Sequence, residues 1–207
     1  MIKTILLTLS MLTSIVKSFD GWEPVDLNQD VDEKTTSYSE DGMRAALGYK
    51  MSIDGDLHGI VQVYDNVDGS WVPYRDPIIQ QDVINPSKYV ISLSSDGDKI
   101  AIGSTPSAGS LEQGRARVFE DQGNSWEQIG GDITGNPPDH NIGYSLALSQ
   151  DGTLVAVGAH DSNGDYVRTY MFENDDWSFK ESIEGTEADE WLRLWEMAKA
   201  FGLPMTI

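Results

Sequence analysis

Three oxygen-bearing side chains stand at alternate positions in Asp161-Ser162-Asn163-Gly164-Asp165. A loop that wraps a hard divalent cation begins with this spacing, so Asp161, Asn163 and Asp165 are the calcium candidates of the chain. The match stops there. Tyr166 stands where such a loop needs glycine at its sixth position, and Phe172 where it needs a bidentate glutamate. A solvated polar turn accounts for the same residues. Asp54 and Asp56 flank Gly55 in a second short acidic turn.

Other reactive groups do not assemble into a set. His58, His140 and His160 are scattered, and no Ser/His/Asp grouping can be read from them. The chain has no cysteine, which excludes a disulfide framework, thiol catalysis and thiolate zinc sites. Arg44, Arg75, Arg115, Arg117, Arg168 and Arg193 mostly fall at repeated strand positions and do not cluster as an oxyanion grip would. The expectation from the residues alone is no catalysis and no resident cofactor. With 34 Asp and Glu against 14 Lys and Arg, the 207 residues carry a net charge of −20, which repels nucleic acid and anionic membrane surfaces.

Met1 to Ser18 is a separate object. A charged start at Lys3 precedes an apolar run from Thr4 to Val16, too short to cross a bilayer, and Val16 and Ser18 place suitable residues before a cut at Phe19. This is a secretory signal pattern, so the expected location is secreted, extracellular or cell surface. Cleavage removes Lys3 and Lys17 and no acid, which takes the charge to −22. No later segment is apolar enough for a transmembrane helix.

The elements that would position any site come from a repeat of about 55 residues. Asp41-Gly42, Asp96-Gly97 and Asp151-Gly152 lie 55 and 55 apart, and Gly48, Gly103 and Gly158 keep the same intervals. Trp22, Trp71, Trp126 and Trp177 follow at 49, 55 and 51. Within each unit the pattern alternates as strands do. Tyr89-Val-Ile-Ser-Leu-Ser94 and Lys99-Ile-Ala-Ile-Gly103 flank an Asp-Gly hairpin signal, and further strands follow at Arg115–Phe119 and Trp126–Ile129. Each unit is therefore a four-stranded antiparallel meander, as in a propeller blade, with blades expected at about 35–76, 89–131 and 144–183. A leading strand at Trp22-Glu-Pro-Val25 matches the fourth strand of a blade.

The third unit, Ile142-Gly143-Tyr144-Ser145-Leu146-Ala147-Leu148 with Val155-Ala156-Val157-Gly158-Ala159 and Val167-Arg168-Thr169-Tyr170, resembles an FG-GAP repeat. The resemblance implies an all-β fold of the integrin α-chain propeller type over roughly residues 22–186. It also implies a calcium loop after the first strand, but here that place is contracted to Ser39-Glu40-Asp41-Gly42, Ser94-Ser95-Asp96-Gly97 and Ser149-Gln150-Asp151-Gly152. One carboxylate in a tight turn cannot supply the six to eight oxygens that calcium takes. Asp121-Gln122-Gly123-Asn124-Ser125-Trp126 matches the Asp-box spacing of sialidase-like propellers, a turn that stabilises hairpins.

After Gly185 the repeat is lost. Trp191, Leu194, Trp195 and Ala198 fall at helical spacing, so 187–207 reads as an amphipathic helical tail, possible as chemistry and equally readable as lying outside the ancestral design. The functional expectation is a non-catalytic module that binds an extracellular protein or glycan, or acts in adhesion or scaffolding. The alternative is a fragment of a propeller hydrolase or lyase whose site lies in missing blades. Open blade faces also suggest self-association.

Overall fold

The computed structural model describes residues 35–53, 55–84, 86–106, 113–135, 142–161 and 164–185. The signal segment, the strand expected at Trp22–Val25 and the tail expected to be helical lie outside these residues. Among the described residues twelve strands form three four-stranded sheets, all antiparallel. Blade one holds β1 (Thr35–Tyr38), β2 (Arg44–Ile53), β3 (Asp56–Val67) and β4 (Ser70–Ile84). Blade two holds β5 (Lys88–Leu93), β6 (Lys99–Thr105), β7 (Arg115–Asp121) and β8 (Trp126–Thr134). Blade three holds β9 (Ile142–Leu148), β10 (Leu154–Asp161), β11 (Gly164–Glu173) and β12 (Asp176–Gly185). Each sheet keeps sequence order across its strands, so each blade is a simple meander. The fold is all-β and of the propeller type.

Turn chemistry sets these hairpins. Asp68 and Gly69 both take positive φ, 52° and 84°, between the paired residues Val67 and Ser70. Asn174 and Asp175 do the same at 54° and 63° between Glu173 and Asp176. Such two-residue loops match the right-handed twist of the strands they join, and Asn, Asp and Gly tolerate the left-handed backbone they need. The fourth strands run longer than the four residues around each tryptophan. Register shifts between Val61 and Val63, Ala116 and Val118, and Thr169 and Tyr170 let the third and fourth strands stay paired past an irregularity.

Alternation then divides each sheet between its neighbours. In blade two, Ile100, Ile102 and Phe119 pack with Ala46, Val61, Val63 and Ile78 of blade one. On the same two strands Ala101, Ala116 and Val118 pack with Val155, Val157 and Tyr170 of blade three. Every one of these side chains is at most 9% exposed. Burying one such aliphatic side chain is worth about 2 kcal/mol, so the two blade interfaces, and no single sheet, carry the stability.

Close backbone approach at the inner strands adds a steric condition. Gly143 sits at φ 91°, and a Cβ there would lie 2.5 Å from the carbonyl oxygen of Arg115 in blade two. Gly123 also has positive φ, 86°, but a Cβ there would meet nothing within 4 Å. Gly143→Ala is therefore expected to lower the melting temperature well beyond Gly123→Ala, which carries only the left-handed backbone cost of about 1 kcal/mol. Equal losses in paired thermal denaturations would show that blades two and three do not approach as described.

Candidate functional site

The two ends of the blades differ in kind. At one end lie the turns between first and second strands, and all three are built alike. Ser39 Oγ donates to Asp41 Oδ1 at 2.7 Å, Ser94 Oγ to Asp96 Oδ1 at 2.6 Å and Ser149 Oγ to Asp151 Oδ1 at 2.7 Å. The same carboxylate oxygens accept the amides of Met43, Asp98 and Thr153 at 2.9, 3.0 and 3.0 Å. Each serine hydroxyl also accepts a strand amide, from Arg44, Lys99 and Leu154, at 2.9, 3.0 and 2.9 Å. These carboxylates are held within their own turns, where the family resemblance would have put a calcium loop.

The turns are also linked from blade to blade. The Glu40 amide donates to the Ser95 carbonyl at 2.9 Å, and the Ser95 amide to the Gln150 carbonyl at 2.9 Å. Side chains follow the same direction. Arg44 reaches forward to Asp98 at 2.8 Å while holding Asp65 of its own blade at 2.7 Å. Its guanidinium lies 3.9 Å from the centre of the Tyr74 ring. Burial works against the Arg44 charge, but Asp65 and Tyr74 outweigh it and raise the pKa.

On the same end, Asp121 joins blade one to blade two. It accepts the Tyr74 hydroxyl, Arg75 Nε at 3.2 Å and the Gly123 amide at 2.8 Å. Burial pushes its carboxyl up, yet these donors hold it below the usual carboxylate range. The Asp-box motif thus braces its hairpin, as its spacing suggests, and ties two blades together. That second role was not read from the sequence.

The opposite end is variable. Two residues join β2 to β3, nine join β6 to β7, and two join β10 to β11. Polar groups converge near it. Arg117 holds Asp132 at 2.7 Å and the Gln80 amide oxygen of blade one at 3.0 Å, and Arg115 also reaches Asp132. His58 Nδ1 lies 3.4 Å from the Gln80 carbonyl oxygen. Lys88 Nζ sits 3.5 Å from the centre of the Tyr144 ring of blade three, a cation–π contact across a blade boundary. The buried Tyr89 hydroxyl has no hydrogen-bond partner, and burial drives its pKa well up.

Two of the three predicted calcium residues, Asp161 and Asp165, have a described backbone at this end. Asp161 closes β10 opposite Gly164, and Asp165 lies on β11 opposite His160, only 5% exposed. Asn163 and the side chain of Asp161 lie outside the described residues, as does Asp54. Among the described residues no three His, Cys, Asp or Glu side chains come together as metal ligands. No helix among them is long and apolar enough to cross a membrane.

No protein-family model matches the chain, and no curated protein matches it either. Solved structures do. One, provisionally assigned as a 6-phosphogluconolactonase from Bacteroides fragilis, is 16% identical, with a TM-score of 0.51 over 73% of this chain and 39% of its own. A second of the same provisional assignment, from Bacteroides uniformis, is 15% identical with a TM-score of 0.46 over 73% and 40%. TolB from Acinetobacter baumannii is 13% identical with a TM-score of 0.42 over 71% and 32%. The chain thus spans less than half the length of each.

At 16% identity and a TM-score of 0.51 the first likeness is one of fold, and it supports the propeller type without singling out the FG-GAP repeat. It also corrects the expectation of a chain without catalysis. The first of these structures carries an enzyme assignment on a fold of the same kind. Scattered histidines and arginines do not by themselves exclude catalysis, since fold and local pattern do not fix function.

The serine–aspartate turns make a stability prediction. Hydrogen bonds from Ser149 and Thr153 hold Asp151 below the usual range, and at Asp96 the Ser94 bond and its partners outweigh burial to the same effect. A lowered folded pKa means stability present above the unfolded value, about 3.9, and lost as pH falls through the folded one. Ser94, 1% exposed, gives up two such bonds in Ser94→Ala, which should cost about 1–3 kcal/mol. Melting curves between pH 7 and pH 2 check both points. Stability that stays flat below pH 4, or an unchanged Ser94→Ala variant, would contradict the role given to these turns.

Proposed function

We propose that the chain is a secreted or cell-surface propeller segment that binds an extracellular protein or glycan at its variable end. The observation that carries this is the contrast between the ends. One end repeats the same braced turn three times, while the other varies its connections from two residues to nine. Loops free to differ in length and chemistry over a rigid scaffold are where recognition concentrates. The signal pattern at 1–18 supports the extracellular setting, and a calcium ion at Asp161, Asn163 and Asp165 would sit on the same rim.

A second reading follows from the first of the structural neighbours. The chain would then be part of a hydrolase acting on a phosphorylated sugar lactone. Completion of that site would fall to further blades.

The test is retention on arrays of glycans and extracellular matrix proteins, with and without chelator, comparing the native chain with one whose residues 106–114 are replaced by an Asn-Gly turn. Binding by the native chain and its loss in the variant, with melting temperatures within about 3 °C, is the expected result. Equal retention of both chains, or of neither, would overturn the binding reading. Turnover of 6-phosphogluconolactone by the native chain would favour the second.

A further inference from the structure

The blade interfaces follow a rule that extends to a face with no described blade against it. At both described interfaces the residue three places after the tryptophan of a fourth strand meets the tryptophan of the next blade. Tyr74, three after Trp71, stacks edge-on against Trp126 with ring centres 6.5 Å apart. Ile129, three after Trp126, accepts a hydrogen bond from Trp177 Nε1 at 2.9 Å. The residue five places after Trp126 extends the contact, since the Gly131 amide donates to Asp176 at 2.8 Å, just before Trp177.

Blade one carries the receiving half of this arrangement. Trp71 packs with Tyr38, Ala45 and Tyr64 on the side away from blade two. Beside them a cleft of about 260 Å³ is lined by Tyr49, Gln62, Tyr64, Pro73 and Arg75. Gln62 and Tyr64 stand 55 residues before Arg117 and Phe119, which in blade two meet Gln80 and the core of the preceding blade. The cleft is therefore the place that a preceding fourth strand would fill.

We infer that residues 22–27 of this same chain occupy that face, with Val25 against Trp71 and Leu27 beside Ser70. Trp22 precedes Trp71 by 49 residues, in series with the intervals of 55 and 51 that follow. From Trp22 to the first residue of β1 is 13 residues, against 17 from Trp71 to β5 and 16 from Trp126 to β9. The reach is sufficient, because extended chain covers about 3.3 Å per residue. Val25 takes the place of Tyr74 and Ile129, and Leu27 that of Gly131. The occupant is an intramolecular strand, and its register is set by the tryptophan spacing.

The absence of native cysteine makes the register measurable. In the full chain, L27C with S70C should form an intramolecular disulfide about tenfold faster than D26C with S70C, whose side chain points to the other face. Non-reducing electrophoresis and intact mass separate a bond within one chain from one between two. In the cysteine-free chain, Val25→Asp should lower the melting temperature by several degrees, since it puts a charge against Trp71. A disulfide that links two chains, equal rates for the two pairs, or a Val25→Asp variant that melts with the native protein would each overturn the assignment.

Discussion

The structure depends on one repeated contact, the backbone hydrogen bond from a turn residue of one blade to the equivalent residue of the next. Glu40 donates to Ser95 and Ser95 to Gln150, each pair 55 residues apart. Such a row can form only if the three turns have the same shape, and the Ser–x–Asp–Gly bracing gives them that shape. A meander on its own buries one face at most, so a single blade is marginal in water. Lining up the turns brings the flat faces together, and burial of Ile100, Val118, Val155 and their neighbours then follows.

The direction of the contact matters as much as its strength. Arg44 leans over Gly97 and Lys99 over Gly152, each reaching from one blade to the following one. Leu93 and Leu148 donate their amides to Ser37 and Ser92, again between neighbouring blades, at 2.9 and 3.0 Å. An interface with two different halves generates an arc or a ring, in which every blade offers one half and receives the other. This explains why Trp71 and its cleft have the character of a receiving face, and why one end of the molecule is uniform while the other is free to vary.

Much of the fold was legible in the residues. Asp-Gly pairs, alternating strands and tryptophans at a period near 55 defined three antiparallel meanders, because hairpin turns and strand periodicity are local chemistry. The use made of the turn carboxylates was half legible. In the sequence Asp41, Asp96 and Asp151 are one carboxylate per turn, too few for calcium, while their bonds to Ser39, Ser94 and Ser149 are visible only in the structure. Least legible was what crosses between blades. Asp121 with Tyr74 and Arg75, or Lys88 with Tyr144, pairs residues about 46 to 56 apart in sequence through geometry alone. Residues that meet only across blades carry no local pattern, so scattered histidines and arginines in the sequence do not speak against an enzyme.

The central claim is that equivalent turns lock one blade to the next through a shared backbone bond. Native-state hydrogen exchange resolved at single amides tests it most directly. Glu40 and Ser95 lie in polar turns, yet their amides should exchange only when adjoining blades separate. They should be at least about a hundredfold slower than the amide of Gln150, which heads the row and faces no further described blade. Exchange of Glu40 and Ser95 at the rate of Gln150 would contradict the account, and would mean that the blades pack without the bond on which their alignment is said to rest.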